Sequence, residues 1–189
     1  MAKVDQSAAV VGIIMGSDTD FPVMSEAGKA LSKFGIPYEM EVLSAHRTPA
    51  RAHEYATSAL SRGLKVLIAA AGAAAHLAGV MAANTTLPVI GVPMATTSLN
   101  GLDALLATVQ MPGGIPVATM AIDKAGAVNA AIFAAEILGL SDATIARKLV
   151  THKEDLAKAV AECLRQLQGR YPGPASFVDV SYEMLETLD

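Results

Sequence analysis

Short apolar runs alternate along the chain with longer segments whose apolar residues recur every three or four positions. Residues 10–15, 38–43, 66–70, 88–92 and 116–120 have the length and character of strands. Residues 21–34, 49–62, 76–83, 101–109 and 125–138 read as helices between them. Pro22 and Pro49 fall in first helical turns, where a missing N–H costs least. Gly35 and Gly63 stand where the first two helices must end. Repeated strand–helix units of this size call for a parallel sheet covered on both faces by helices, with right-handed crossovers. Five strands predict an α/β, flavodoxin-like three-layer sandwich; a barrel needs about eight.

The C-terminal part breaks this alternation. Leu149, Leu156, Val160, Cys163 and Leu167 recur at helical spacing and form an apolar stripe on one further helix. It packs either on its own domain or on a neighbouring subunit. The expected division is an α/β domain over residues 1–150 and a helix and tail over 151–189, the latter packing on a neighbouring subunit. Tyr171-Pro172-Gly173-Pro174 breaks any helix, and the tail to Asp189 carries no readable role.

Composition narrows the classes. The 189 residues fit one domain with a complete core. Hydrophobic residues make up 52% and charged ones only 17%, which points to surface buried between subunits and so to a homo-oligomer. The net charge of −4 argues against a nucleic-acid partner. Cys163 is the single cysteine, so neither an intrachain disulfide nor a thiolate metal cluster can form, and a cytoplasmic setting is expected. The first residues lack the basic and apolar regions of a signal peptide. Residues 66–83 contain no Asp, Glu, Lys or Arg and are long enough to suggest a membrane span. Ala and Gly dominate the stretch, however, and Gly72 and His76 interrupt it, so no membrane partner is expected.

Two loops carry the candidate chemistry, each where an apolar run opens into a helix. Strand ends of this kind form the ligand crevice of parallel sheets. In Gly16-Ser17-Asp18-Thr19-Asp20, Gly16 leaves room for a ligand, Ser17 and Thr19 supply hydroxyls, and the helix beyond supplies free N–H groups. One reading makes Asp18 or Asp20 a helix cap; the other gives one acid to sugar hydroxyls. In Ser44-Ala45-His46-Arg47-Thr48-Pro49, Arg47 can clamp a phosphate and His46 can pass a proton near neutral pH. Against this, Arg47 can pair with a surface acid. His76 either faces the same crevice or caps and packs its helix. His53 and His152 read as solvated, and the four histidines lack the acid pairing of a zinc site. The Gly- and Pro-containing segment 110–116 is a connection, a lid or an intersubunit wall.

Five ordered motifs then resemble PurE, the carboxyaminoimidazole ribonucleotide mutases of de novo purine synthesis. They run from Met15 to Asp20, Ser44 to Pro49, Ala74 to Leu77, Gly91 to Pro93 and Val109 to Val117. The resemblance implies a flavodoxin-like octamer with active sites between subunits. It implies a reaction without ATP, metal or biotin, so no cofactor, that moves a carboxylate from an exocyclic nitrogen to a ring carbon of aminoimidazole ribonucleotide. By position, Ser17 and Asp20 contact the ribose and phosphate, Arg47 holds the phosphate, and His46 is the catalytic acid and base. Gly16, Ser44, Gly72 and His76 complete the expected substrate-binding set, and no metal site is expected.

Arg47 and the segment 110–117 place the chain with the mutases and not with the class that uses free carbon dioxide directly. That direct carboxylation, a non-catalytic nucleotide-binding module and a weakened family member kept for assembly are the competing readings. The family loop Gly-Ala-Gly-Gly-Ala-Ala-His-Leu-Pro-Gly is here Ala70-Ala71-Gly72-Ala73-Ala74-Ala75-His76-Leu77-Ala78-Gly79. If the family backbone is kept, alanine at 70 and 73 is either strained or narrows the site. Turnover is then expected to rise when both are changed to glycine.

Overall fold

A computed structural model describes residues 9–170. Strands β1 (Val11–Met15), β2 (Tyr38–Val42), β3 (Val66–Gly72), β4 (Val89–Met94) and β5 (Ala118–Thr119) form one parallel sheet in the order β2-β1-β3-β4-β5. This is the flavodoxin-like order, which reverses direction between β1 and β3 and opens a ligand crevice there. Met15 is level with Val42 on one side and Ala70 on the other, so the loops leaving β1 and β2 start side by side while β3 runs two residues further.

Helices α1 (Phe21–Phe34) and α5 (Asp123–Gly139) cover one face; α2 (Pro49–Ala59) and α3 (Leu77–Asn84) cover the other. Side-chain alternation along β1 splits the core. Ile13 and Met15 pack with Met24, Leu31 and the alanines of α5, whereas Ile14 packs with Tyr55, Leu67 and Met81. Gly35 ends α1 at φ +72, and its N–H bonds to the carbonyl of Ser32. Helix α4 (Leu102–Val109) follows β4, and α6 (Ala143–Arg170) closes the described chain.

Some boundaries differ from the pattern. β3 continues two residues past 70 because Ala71 and Gly72 pair with Pro93 and Met94 of a β4 that also runs past residue 92. Small side chains do not announce a strand, but ladder bonds hold them in one. β5 is two residues long, and α2 ends at Ala59. The apolar stretch 66–83 resolves into β3 and α3. Among the described residues, no helix is long and apolar enough to cross a membrane.

The chain divides into two compact units between Leu149 and Val150. In the second, Val150, Leu156, Val160 and Leu167 are exposed, as is Cys163. The break at residues 171–174 and the tail beyond it lie outside the described residues.

Candidate active site

The loops after β1, β2 and β3 enclose a cavity of about 320 Å³ at the C-terminal end of the sheet. Gly16, Ser17, Asp20, Ser44, His46, Arg47 and Gly72 all line it. Seven of the eight residues singled out from sequence therefore meet in one place.

In the first loop, Ser17 is the cap. Its hydroxyl oxygen accepts from the Thr19 N–H at 3.3 Å and from the Thr19 hydroxyl at 2.9 Å, closing a 3-10 turn over Asp18–Asp20. Asp20 occupies the N-cap position of α1 but makes no side-chain cap bond, and it is only 2% exposed. Capping therefore does not account for Asp20. Burial raises its pKa, a backbone hydrogen bond from Ser17 opposes the rise, and the charges of Asp123 and Asp18 add to it.

In the second loop, Thr48 and Ser44 bond reciprocally: the Ser44 N–H donates to Thr48 Oγ1, which donates to the Ser44 carbonyl, both at 3.0 Å. Ser44 Oγ accepts from the backbone N–H of Arg47 at 3.1 Å and from its Nε at 3.4 Å. An Nη2 N–H of Arg47 donates to the Gly16 carbonyl at 3.0 Å. The guanidinium thus ties the β1 and β2 loops together and makes no ion pair among the described residues. Its remaining N–H donors stay available to a ligand.

His76 does not line the cavity. It stands at the N-cap of α3 without capping it and meets His46 instead: Nε2 of His46 and Nδ1 of His76 are 2.9 Å apart, the rings edge to face. A bond of this kind carries one shared proton, and the second ring fixes the tautomer of the first. His53 bonds Asn84 at 2.8 Å, away from the cavity.

Of the altered positions, Ala73 adopts φ +52, the left-handed region. Ala70 does not; it is a buried residue of β3, and neither position lines the cavity. The expected strain falls on Ala73 alone. Sequence reasoning missed Thr96, which lines the cavity from the loop after β4 and lies so close to Gly72 that a Cβ there would overlap its hydroxyl. The signal was available: Thr96 follows a strand end, as Gly16 and Ser44 do. The segment 110–116 does not line this cavity; Met111 packs on Gly79 while Gly113 and Gly114 face open space. Among the described residues, no group of three or more His, Cys, Asp or Glu is placed to hold a metal ion.

The strand order, with a cavity lined by Ser17, Asp20, His46 and Arg47 at its point of reversal, defines a flavodoxin-like α/β protein. Residues 10–159 match the model of a family described as AIR carboxylase, and the chain belongs to that family. It is 55% identical over 159 residues to an N5-carboxyaminoimidazole ribonucleotide mutase of Pyrococcus horikoshii, covering 84% of this chain and 89% of that one. It is 55% identical over 158 residues to the Bacillus subtilis protein of the same name, covering 84% and 98%. Among solved structures, Treponema denticola PurE superposes with a TM-score of 0.75 at 30% identity over 84% of this chain and 98% of that one.

Proposed function

We infer that this chain is an N5-carboxyaminoimidazole ribonucleotide mutase of purine biosynthesis, an isomerase, and that His46 performs both of its proton transfers. The observation that carries the role of His46 is its place on the cavity beside an Arg47 that has no acidic partner. Arg47 and the Ser17 turn at the start of α1 suit the phosphate. Asp20, buried and not used as a cap, suits the ribose hydroxyls.

His46 first donates a proton to the carbamate nitrogen. The nitrogen–carbon bond breaks, leaving the amine and carbon dioxide. The electron-rich ring carbon attacks the trapped carbon dioxide and then loses its own proton to His46, which returns to its starting state. Confinement beside the carbon supplies proximity. His76 supports this cycle by fixing which nitrogen of His46 carries the proton.

Leu99, Leu102, Leu106 and Val109 form an exposed apolar row on and before α4, between 47% and 58% exposed. With the low charge content, this row supports a homo-oligomer, an octamer by family resemblance, in which segment 110–116 is an intersubunit wall and the helix beyond residue 150 packs on a neighbouring subunit. A cytoplasmic enzyme fits the single cysteine. A single-turnover assay with the carbamate ribonucleotide, following the carbon-linked product, tests the reading. Product formation that tracks dissolved carbon dioxide and ignores the carbamate would replace it with direct carboxylation.

A further inference from the structure

We propose that Asp123 is a positioning residue for the substrate cavity: its carboxylate anchors the Ala95–Thr96 turn that forms the cavity wall against Gly72. The proposal rests on the reading of this cavity as the substrate site.

Beyond β4 the chain turns sharply. The Thr96 N–H donates to the Met94 carbonyl two residues back, at 3.0 Å, and the Ala95 N–H donates to Asp123 Oδ1 at 2.8 Å. Ala95 is exposed, so water can satisfy its N–H equally well. The bond is therefore not needed to rescue a buried donor; its effect is to fix where the turn sits. That position matters because Thr96 lines the cavity and fills the space left by the missing side chain of Gly72. Asp123 makes the bond from φ +57, a backbone region that residues other than glycine enter at a cost.

The far end of the same loop returns to the same place. Asn100 and Gly101 have φ +51 and +83, and a Cβ on Gly101 would lie 2.7 Å from Ile122 Cγ2 and 3.3 Å from Ala95 Cα. Two left-handed residues, Gly101 and Asp123, thus meet at one exposed alanine next to the cavity. Strain kept where it fixes the wall of a site is a mark of positioning. The charge of Asp123 also acts on Asp20, which lines the same cavity, and helps to raise its pKa.

Two variants test the proposal. Asp123→Gly accepts the left-handed backbone and deletes the anchor; Asp123→Asn keeps an acceptor oxygen and tolerates the same φ. For Asp123→Gly we expect Tm at or above that of the parent, KM for the carbamate ribonucleotide raised about tenfold, and kcat changed less than about twofold. Asp123→Asn should keep KM within about threefold. KM unchanged in the glycine variant, whatever its Tm, overturns the proposal. So does an asparagine variant as impaired as the glycine one, because charge and not anchoring would then be the cause. Arg47→Ala, measured alongside, separates the two levels of inference. If it raises KM and Asp123→Gly does not, only the role of Asp123 falls. If neither raises KM, the reading of the cavity falls and takes this proposal with it.

Discussion

Two clefts of similar size lie at opposite ends of the same sheet, and their polar groups are used differently. The cavity at the C-terminal strand ends measures about 320 Å³; the cleft where the strands begin, lined by Val10, Ile36, Lys65, Asp142 and Lys148, measures about 270 Å³. In the second cleft, polar groups close helix ends. Lys148 Nζ donates to the Phe34 carbonyl at 2.6 Å, and Asp142 Oδ1 accepts from the N–H groups of Thr144 and Ile145 at 2.8 and 3.2 Å. In the first, Arg47 spends only part of its donor set on Gly16 and Ser44, and Asp20 is buried without capping anything. Volume therefore does not mark the site. What separates the two is a guanidinium and a buried carboxylate that the fold does not use to close helix ends.

The sharpest way to break the comparison is to remove a polar group from each end. On the proposed role of His46 in both proton transfers, His46→Asn should lose turnover by about 10²–10⁴-fold, while substrate binding and Tm stay close to those of the parent. Rate and calorimetric measurements on the same preparation check this; retention of more than about a tenth of the rate would remove His46 from its role. Lys148→Met should show the reverse, with unchanged kcat/KM and stability lower by about 1 kcal/mol for the lost bond to the Phe34 carbonyl.

Next in size is Arg47→Ala. A charge-assisted hydrogen bond contributes about 1.5–3 kcal/mol, so titration calorimetry should show that much weaker binding of the phosphorylated substrate. The dephosphorylated nucleoside should bind almost as before. Equal losses for both would show that Arg47 does not meet the phosphate.

The two aspartates make the contrast visible in pH. Burial and two negative neighbours hold Asp20 above the usual carboxylate range. Its folded pKa is raised, so the stability linked to it is present at low pH and lost as pH rises through the folded value. Two backbone N–H bonds, from Ile145 and Thr144, hold Asp142 below the usual range. Its contribution is present above the unfolded pKa, about 3.9, and lost as pH falls through the folded value. At pH 7, Asp20→Asn should therefore raise Tm while weakening substrate binding, and Asp142→Asn should lower Tm without touching activity. Both differences should shrink in melts at acid pH, where the parent carboxyls are themselves protonated. A fall in Tm for Asp20→Asn at pH 7 would mean that its ionised form stabilises the fold.

Much of this was legible along the chain because its cause is local. The bounds of α1 follow from Pro22 and Gly35, and the meeting of an imidazole and a guanidinium at one cavity follows from His46 and Arg47 standing together on a loop after a strand. What escaped depends on neighbours distant in sequence. The bond between His46 and His76 spans thirty residues and exists because the loops after β2 and β3 converge at the C-terminal end of the sheet. Asp123 looks like an ordinary acid in the first turn of a helix until its φ of +57 and its bond to Ala95 are seen. The end of β3 was obscured because alanine and glycine carry no strand signal of their own, and ladder pairing with Pro93 and Met94 decided it.

The smallest expected effect concerns the alanine-rich loop, and here the geometry corrects the sequence expectation. Ala70 is fully buried within β3, so a glycine there relieves no strain and opens a small hole in the core. Ala73 is exposed at φ +52, between β3 and the two tight bonds from Ala75 N–H to the Ala73 carbonyl and from His76 N–H to the Ala74 carbonyl. A left-handed alanine costs about 1–2 kcal/mol, and glycine forfeits about 0.5–1 kcal/mol in chain entropy. Ala73→Gly should therefore gain about 0.5–1 kcal/mol, read as a higher midpoint in denaturant. Because the Ala73 methyl lies outside the cavity, its removal cannot widen the space for carbon dioxide. Any gain in turnover must come through the orientation of His76, three residues on, and hence of His46. Assaying Ala73→Gly in the parent and in a His76→Phe background decides this. A gain that survives without the imidazole at 76 would rule out that route.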